Sequence, residues 1–569
     1  MNQKLSSKND RRINDRRKEE KLRFSQDEHL NSLLAGVVEN VSEYADLLLS
    51  KIKALSDIGK ALSGEPEINT LLRKIVYEAR NFTNADAGTL YTMDNNKLKF
   101  KIIQNDTLNI KMGGNAEDEI PFPPVELKET NVSAFVAINA KSVNIEDVYS
   151  SDLFDFTGPK KFDESSGYRT KSMLVVPLLN HEDDVIGVLQ LINATNPKSG
   201  EVIPFNEDNQ FLTESLASQA AVAITNVNLI KSMEELFEAF VEVMATAIDE
   251  KSPVTGGHIK RVANMTMTFA EMLNQIENGP FENIQYSPDE LYELKIAALM
   301  HDIGKVTTPV DIVEKGKKLQ TIFNRIEHVD LRFLYFIEQK ENECLQARIK
   351  LIKEKASEKD IQISDQIFQK EINDLKEMRN FLLKCNEPGE FLEDEKIGRI
   401  KEISNMTYRD HEGTVKPYLT VEELENLSIR KGSITEKERK IMQNHAAVTL
   451  RMLEKIPFTK KLKNIPNFAG AHHEFVNGKG YPLGLKGDEI PFSGRLMAVT
   501  DIAEALTASD RPYKKAMPLA VVHKILKAMV SDGELDKNLV EFFIENDVYG
   551  KYKEIHENSG GKSPVKIDT

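Results

Sequence analysis

Five histidines and two aspartates in the second half of the chain are the residues whose types and spacing best suit chemistry. These seven ligand candidates are His258, His301, Asp302, His445, His472, His473 and Asp501. Neutral imidazole and carboxylate together suit borderline metals such as Fe, Mn, Zn or Co. Because seven ligands exceed what one tetrahedral ion needs, the set predicts a centre of two divalent ions. Two-metal centres of this kind hydrolyse phosphoesters.

The apolar pattern around the candidates predicts that helices carry them inward. An apolar helical stripe reaches Ala298, and His301 and Asp302 continue it three and four residues later. The pattern repeats with His445 four after Ile441, His472 four after Phe468, and Asp501 four after Met497. Gly304 suits a helix C-cap. A buried His–Asp pair without partners would be costly, and metal ligation would remove that cost.

Bulk composition limits the classes of function. The chain has 569 residues, 40% hydrophobic and 29% charged, which predicts two or three globular domains. A net charge of −15 argues against binding a nucleic acid polymer. An anionic substrate would therefore have to be held by local cations and metals.

Several features predict a cytoplasmic protein without membrane insertion. No apolar run approaches the roughly 18 residues of a membrane helix, and no signal peptide is visible. The two cysteines, Cys344 and Cys385, do not make a disulfide framework.

Periodicity and charge divide the chain into five segments. Residues 1–28 are a charged tail, predicted disordered, and 551–569 are a polar tail. Residues 29–60 form an amphipathic helix, 61–230 alternate helix and strand as an α+β domain, and 231–550 are mainly helical. All seven ligand candidates lie in the helical segment.

Two long helices bear on assembly. The helix at 29–60 is predicted either to pair with a second copy or to pack on the next domain. The helical stretch 208–248 has no evident Gly or Pro break and connects the two domains. Parallel pairing of both stretches predicts a homodimer in which the first domain regulates the second.

An insertion-like stretch, residues 331–386, reads as two charged helical segments. The predicted αα-hairpin packs Ile337, Cys344, Leu345 and Ile352 on Ile361, Ile367, Leu375 and Leu382. The hairpin could cover the cleft, mediate assembly or be a passive surface insertion.

The order of motifs in residues 235–530 resembles the HD-GYP family of cyclic dinucleotide phosphodiesterases. The motifs are Thr255-Gly-Gly-His258, His301-Asp302-Ile-Gly-Lys305, His472-His473-Glu474, Gly480-Tyr481-Pro482, the segment from Leu485 to Pro491, and Arg511-Pro512-Tyr513. The resemblance implies an all-α HD-domain bundle in which the seven candidates bind metal. It also implies that Asp302 bridges the two ions.

Three departures from the family pattern matter. Val254 stands where some members carry a glutamate that helps hold a third metal, so we predict two metals. Asp510 is one extra residue before Arg511. Between Asp302 and His445 lie 142 residues, more than is usual, and the insertion accounts for much of this.

The resemblance also implies roles for other residues. Asp302 and Lys305 would be catalytic, with Lys305 and the metals neutralising charge on the phosphoryl oxygens. Candidate substrate contacts are Lys305, Tyr481, Arg511, Tyr513 and Lys514. Arginine forks a phosphate, and tyrosine stacks on a base. A purely structural turn role is the alternative for Tyr481.

The implied reaction opens cyclic di-GMP to linear pGpG, with Fe or Mn as the metal, and a second cut to GMP stays open. Cyclic GMP-AMP is the close alternative substrate, because a few side chains decide which purine fits. Two other functions stay open. One is a cyclic dinucleotide receptor or scaffold with negligible turnover, and the other is a phosphohydrolase acting on other phosphoesters.

Residues 55–230 resemble a GAF domain, with an antiparallel sheet and flanking helices. The strongest match is Lys160-Lys161-Phe162-Asp163-Glu164, similar to the Asn-Lys-Phe-Asp-Glu motif of GAF domains that bind cyclic nucleotides. The resemblance implies a Lys161–Asp163 ion pair that braces a pocket for a cyclic mononucleotide. The alternative is a dimerisation module without a ligand.

Overall fold

The structure is a computed structural model. It describes residues 28–114, 120–251, 257–389, 391–508 and 516–556. Contacts divide the chain into two compact units, Met1–Glu235 and Leu236–Thr569. Most of both predicted tails lies outside the described residues. The polar tail predicted from 551 is partly wrong, because the last helix continues through His556.

The first unit is an antiparallel sheet flanked by helices, which confirms the predicted α+β class. Its elements are α1 (Glu28–Ser63), α2 (Ile68–Thr83), β1 (Ala85–Asp94), β2 (Lys97–Asn105), β3 (Ile110–Met112), β4 (Val125–Glu126), α3 (Val132–Asn139), β5 (Val143–Ile145), α4 (Thr157–Ser166), β6 (Met173–Leu179), β7 (Val185–Thr195), β8 (Val202–Ile203) and the first part of α5 (Glu207–Asp249). The strands run in the order β3-β2-β1-β7-β6-β5.

Alternation along the strands gives this sheet two covered faces. Leu90 and Leu189 face a core that Ile75 of α2 and Ala217 of α5 complete. Side chains of opposite orientation, such as Val188, join Val136 of α3 in a second core. Burial on both faces explains why β6 and β7 are largely apolar along their length.

Helix α1 was predicted either to pack on the next domain or to pair with a second copy, and its two ends differ in this respect. Near its C-terminal end, Leu62 is buried, and Leu55 and Ile58 pack against the first core. Nearer its N-terminus, Val37 and Val41 are more than half exposed. The helix therefore packs on its domain at one end and presents an apolar stripe at the other.

The second unit is a helical bundle that contains all seven ligand candidates. Its elements after α5 are α6 (His258–Leu273), α7 (Pro288–Met300), a 3-10 helix (Ile303–Thr307), α8 (Val310–Val313), α9 (Ile326–Lys353), α10 (Glu358–Cys385), α11 (Asp394–Asn405), β9 (Thr407–Arg409), β10 (Val415–Pro417), α12 (Val421–Leu427), α13 (Glu436–Leu453), α14 (Ile465–Gly470), α15 (Phe492–Thr507), α16 (Leu519–Ser531), α17 (Lys537–Glu545) and α18 (Val548–His556). The short hairpin of β9 and β10 is an addition to the predicted all-α fold.

Local sequence explains where the helices that carry the site begin. Ser287 and Glu290 form a capping box that starts α7. Thr435 and Glu438 do the same for α13. Each pair satisfies two backbone N–H groups that a helix start leaves without partners.

The insertion is the predicted antiparallel helix pair, α9 against α10, but it packs differently from the prediction. Ile337, Leu375 and Leu382 are buried as expected, in a core that also contains Ile400 of α11. The expected burial of Leu345, Ile352 and Ile367 is wrong, since each is more than half exposed. Helices α11 and α12 supply further side chains to this core, at the end of the pair that holds Ile337 and Leu382.

Neither cysteine forms a disulfide, as expected, and Cys344 and Cys385 are free thiols. Among the described helices, none is both long enough and apolar enough to cross a bilayer.

Candidate metal centre

The seven ligand candidates come from five separate helical segments and converge on one point. His258 is the first residue of α6, His301 and Asp302 follow α7, His445 lies in α13, His472 and His473 follow α14, and Asp501 lies in α15. The helix expected to carry His472 ends at Gly470, so both adjacent histidines lie in the turn after it. Their inward direction is as the spacing from Phe468 predicts.

Asp302 lies between two groups of ligands. Its Oδ2 is 3.1 Å from His301 Nε2 and 3.6 Å from His258 Nε2. Its Oδ1 is 3.3 Å from His445 Nε2 and 4.0 Å from His472 Nε2. The two oxygens of one carboxylate therefore face opposite groups, which is the geometry a bridging ligand needs.

The ligand atoms form two compact clusters. His258, His301 and Asp302 make one, and His445, His472 and His473 make the other, each with its ligand atoms within 4.8 Å of one another. Asp501 approaches the first cluster, with its Oδ1 3.2 Å from His258 Nε2.

Three of the imidazoles are oriented by the backbone. The Nδ1 atoms of His301, His445 and His472 lie 2.7, 2.6 and 2.6 Å from the carbonyl oxygens of Ala298, Met442 and Ala469. A carbonyl only accepts, so Nδ1 carries the proton and Nε2 keeps its lone pair. Each Nε2 is then free to bind a metal ion through its lone pair.

The centre contains buried polar atoms that the protein does not satisfy. Nε2 of His301, His445 and His472 and Oδ1 of Asp302 are buried without a hydrogen-bond partner within the described part of the chain. Leaving such groups unsatisfied costs roughly 1–3 kcal/mol each. Divalent metal ions would satisfy all four at once, so the residues present fit a metal centre.

Charge states in the second cluster and at Asp302 also suit metal binding. Burial lowers the pKa of His472 well below its ordinary value and that of His473 to about 3, so both stay neutral. Burial alone would raise the pKa of Asp302, but the ammonium of Lys305, which donates to its Oδ2, holds that pKa well below the usual range. Neutral imidazole and ionised carboxylate are the ligating forms.

The role predicted for Gly304 is wrong. Helix α7 ends at Met300 with His301 as its cap, and Gly304 lies inside the following 3-10 helix. A Cβ on Gly304 would lie 2.0 Å from the carbonyl oxygen of His445. Gly304 N–H also donates to Thr449 Oγ1 at 3.0 Å. Close approach to α13, rather than helix capping, requires the glycine.

Glu504 supports the first cluster, and the sequence analysis missed it. Its buried carboxylate pairs with Nδ1 of His258 and accepts from Arg261 Nε at 2.5 Å. Glu504 follows Asp501 by three residues on α15, so the same inward helix face could have identified it. A carboxylate on the far nitrogen of a ligand histidine fixes the ring and strengthens it as a ligand.

We expect Glu504→Gln to weaken metal binding about 10- to 100-fold, because outer partners of ligand histidines have effects of this size. Mn²⁺ titration followed by electron paramagnetic resonance measures the change. Glu271→Gln on α6 is the matched control, and it should bind as the parent does. Equal affinity of Glu504→Gln and parent would contradict the assigned role.

The Gly-Tyr-Pro loop lies directly against the second cluster. The Tyr481 ring is 4.8 Å from the His473 ring, centroid to centroid. Its backbone N–H donates to the carbonyl of His473 at 3.1 Å. A Cβ on Gly480 would lie 2.2 Å from the amide nitrogen of Phe475, so only glycine fits. The geometry accommodates both roles predicted for Tyr481, as a turn residue and as a group beside the centre.

Glu474 anchors the same loop. Its buried carboxylate accepts from the backbone N–H groups of Leu483, Gly484 and Leu485 at 2.6, 3.1 and 2.9 Å. The motif glutamate after the two histidines therefore shapes the loop that follows Tyr481.

Of the other four residues predicted to contact the substrate, the structure describes one. Lys305 Nζ donates to Asp302 Oδ2 at 2.5 Å, at the centre itself. Arg511, Tyr513 and Lys514 lie outside the described residues, as do Val254 and Asp510.

The first unit contains a separate cavity of about 390 Å³ against the β1–β2–β6–β7 face. Its walls include Tyr91, Phe100, Phe162 and the amide of Gln190. Phe162 of the predicted motif thus faces this cavity. No lysine, arginine or histidine is found in the described lining.

The predicted Lys161–Asp163 ion pair is wrong. Asp163 is buried and instead accepts from Tyr149 Oη at 2.9 Å, Thr170 N at 2.8 Å and Thr170 Oγ1 at 2.9 Å. No ion pair joins Lys161 to Asp163 among the described side chains, and both Lys161 and Glu164 are exposed. Three neutral donors brace α4 in its place.

Protein-family models match regions in both units. A GAF domain model matches residues 67–224, and two HD domain models match residues 255–397 and 422–539. A solved GAF domain/HD domain protein from Geobacter sulfurreducens covers 30% of this chain and 98% of its own, at 18% identity and a TM-score of 0.22.

Two curated relatives are cyclic dinucleotide phosphodiesterases. The 3'3'-cGAMP-specific phosphodiesterase 3 of Vibrio cholerae is 45% identical over 89 residues, 16% of this chain and 18% of that protein. The cyclic di-GMP phosphodiesterase of Thermotoga maritima is 34% identical over 146 residues, 24% of this chain and 39% of that protein. The matches thus span less than half of each relative. The chain therefore contains a region that matches a GAF domain model, followed by regions that match HD domain models.

Proposed function

We propose that the helical unit is a metal-dependent phosphodiesterase that opens cyclic di-GMP to linear pGpG and then to GMP. The observation that carries the proposal is the convergence of seven ligand candidates with four buried, unsatisfied ligand atoms. Relatives named as phosphodiesterases for cyclic di-GMP and 3'3'-cGAMP support the same reaction class.

Two divalent ions fit the two clusters, with Asp302 between them. When bound, such ions supply an activated water and Lewis-acid stabilisation of the phosphoryl oxygens. Fe and Mn are the proposed ions, because imidazole and carboxylate suit both. Val254, at the position of a third-metal glutamate in related sequences, supports two ions rather than three.

The protein's own groups position and neutralise the substrate. Lys305 lies against Asp302, where its ammonium both fixes the carboxylate and offsets charge that builds on the phosphoryl oxygens. Burial raises the pKa of Tyr481, so its phenol stays protonated and can donate a hydrogen bond. We propose Arg511, Tyr513 and Lys514 as further contacts to phosphate or guanine.

Substrate choice is tested with manganese-loaded protein and equal concentrations of cyclic di-GMP, 3'3'-cGAMP, cyclic AMP and an artificial phosphodiester. We expect kcat/KM to be highest for cyclic di-GMP. A higher value for 3'3'-cGAMP would change the substrate but keep the reaction. Hydrolysis of the artificial diester alone would favour a general phosphohydrolase, and tight binding of a dinucleotide without product would favour a receptor.

Regulation by the GAF domain is part of the proposal. A cyclic mononucleotide in the 390 Å³ cavity would have to place its phosphate against N–H and hydroxyl groups, because the described lining has no cation. The exposed stripe on α1 and the exposed Leu229, Leu236 and Val243 of α5 support pairing with a second copy. A monomeric mass in solution would contradict the dimer. The cytoplasmic location stays a prediction.

A further inference from the structure

One lysine outside the ligand set binds the backbone of the segment that carries Asp302 and Lys305. Lys251 lies just after α5, and its Nζ donates to the carbonyl oxygens of Lys305 at 3.2 Å and Thr308 at 2.8 Å. It also donates to the carbonyl oxygen of Val306. These carbonyls belong to the C-terminal end of the 3-10 helix at Ile303–Thr307.

The chemistry of this contact is that of a helix C-terminal cap. A helix end leaves carbonyl oxygens without intrahelical partners, and cations are favoured there. An ammonium group has three N–H donors, one for each of the three carbonyls. The number of N–H donors equals the number of carbonyl groups, and the positive charge suits the C-terminal end of a helix. These two features distinguish Lys251 from a solvated surface lysine.

The segment that Lys251 caps is also held by contacts with α13. The cap adds to these contacts at the C-terminal end of the segment. On its other side Gly304 packs against the backbone of His445, and Thr449 Oγ1 donates to the carbonyl of His301 at 3.0 Å. The segment is thus held by α13 at its start and by Lys251 at its end. Metal ligation requires ligand distances to be right within about 0.2 Å, so placement of Asp302 is decisive.

We propose that Lys251 is a positioning residue that couples the end of α5 to the metal centre by fixing the segment Asp302–Thr308. Displacement of the α5 end would draw the ammonium from the three carbonyls and loosen Asp302 and Lys305 together. Its effect on turnover rests on the proposed function, whereas its effect on metal affinity does not.

The test compares Lys251→Met, Lys251→Arg and the control Lys231→Met in the full chain. Lys231 is an exposed lysine on α5, the helix that precedes Lys251. We expect Lys251→Met to bind Mn²⁺ about 10-fold more weakly, within the range seen when outer partners of a metal site are removed. Its kcat for cyclic di-GMP should fall by a similar factor while KM changes little. Lys251→Arg should recover most of both losses, and Lys231→Met should match the parent.

Parent-like Mn²⁺ affinity in a folded Lys251→Met variant would overturn the proposal. So would equal losses in Lys251→Met and Lys231→Met. If Lys251→Met does not fold, Lys251→Gln replaces it, because the amide keeps two N–H donors. Intermediate affinity is then expected, and parent affinity would overturn the proposal. A parent protein without turnover would contradict the proposed function, while the Mn²⁺ comparison would still decide the role of Lys251.

Discussion

Asp302→Ala is expected to lose at least one of two bound metal ions and to reduce kcat for cyclic di-GMP by more than about 100-fold. The two oxygens of Asp302 face both ligand clusters, so removing the carboxylate affects both at once. Removing an outer partner of a metal ligand typically has a 10- to 100-fold effect, and a bridging ligand should exceed it. Metal content by mass spectrometry and product chromatography measure the two losses.

A matched control separates this effect from general destabilisation. Asp289 is an exposed aspartate of the same unit, paired with Lys461 at 3.0 Å. Asp289→Ala should keep the metal content and kcat of the parent. Full metal content in Asp302→Ala would contradict the bridging role, even if its turnover were lost.

Gly304→Ala is expected to destabilise the helical unit and to abolish metal binding. The added Cβ would lie 2.0 Å from the carbonyl oxygen of His445 and 2.7 Å from the amide nitrogen of Thr449. Both neighbours are backbone atoms of α13, so the 3-10 segment and His445 must move apart. Overpacking of a core typically lowers the free energy of unfolding by about 1–3 kcal/mol. Because backbone atoms cannot easily move aside, we expect Gly304→Ala to lose an amount near the upper end of that range.

Gly398→Ala is the control for this variant. Gly398 lies in α11, and a Cβ there would meet no atom within 4 Å. Because alanine favours a helix over glycine by about 1 kcal/mol, Gly398→Ala should be neutral or stabilising. Denaturant unfolding and Mn²⁺ titration measure both variants. Parent-like metal binding in Gly304→Ala would show that the close approach to α13 does not set the site.

Periodicity predicted the inward direction of the ligand candidates well. His301 and Asp302 follow the apolar stripe of α7, and Asp501 follows that of α15, as helical spacing requires. Spacing along the chain could not show that Asp302 meets His445 across 142 residues. That contact depends on how α13 packs against the 3-10 helix. Spacing within a short stretch of sequence does not predict such packing.

Residues that act through backbone atoms were harder to predict. Lys251 donates to three backbone carbonyl groups. Because every residue has such a group, residue types cannot show which carbonyls a lysine binds. Gly304 was assigned to a cap because a glycine after a helix usually has that role. Its real constraint comes from α13, whose position is a property of the tertiary structure.

Amphipathic patterns also overstated burial in the insertion. Leu345 and Ile352 recur at helical spacing, yet both are exposed, because a pair of helices covers only the seam between them. The same limit applies to Asp163, whose partners Tyr149 and Thr170 are set by the loops around α4. The nearby lysine was the simpler partner to predict from charge alone.

Metal dependence decides whether the seven converging residues make a two-metal phosphodiesterase, as we propose. The full-length protein is stripped of metal, and Mn²⁺ is then added in steps while cyclic di-GMP turnover is followed. We expect no product from the stripped protein and linear pGpG once metal is added. We also expect the rate to saturate at two ions per chain. Turnover that persists without metal, or no product with two ions bound, would contradict it.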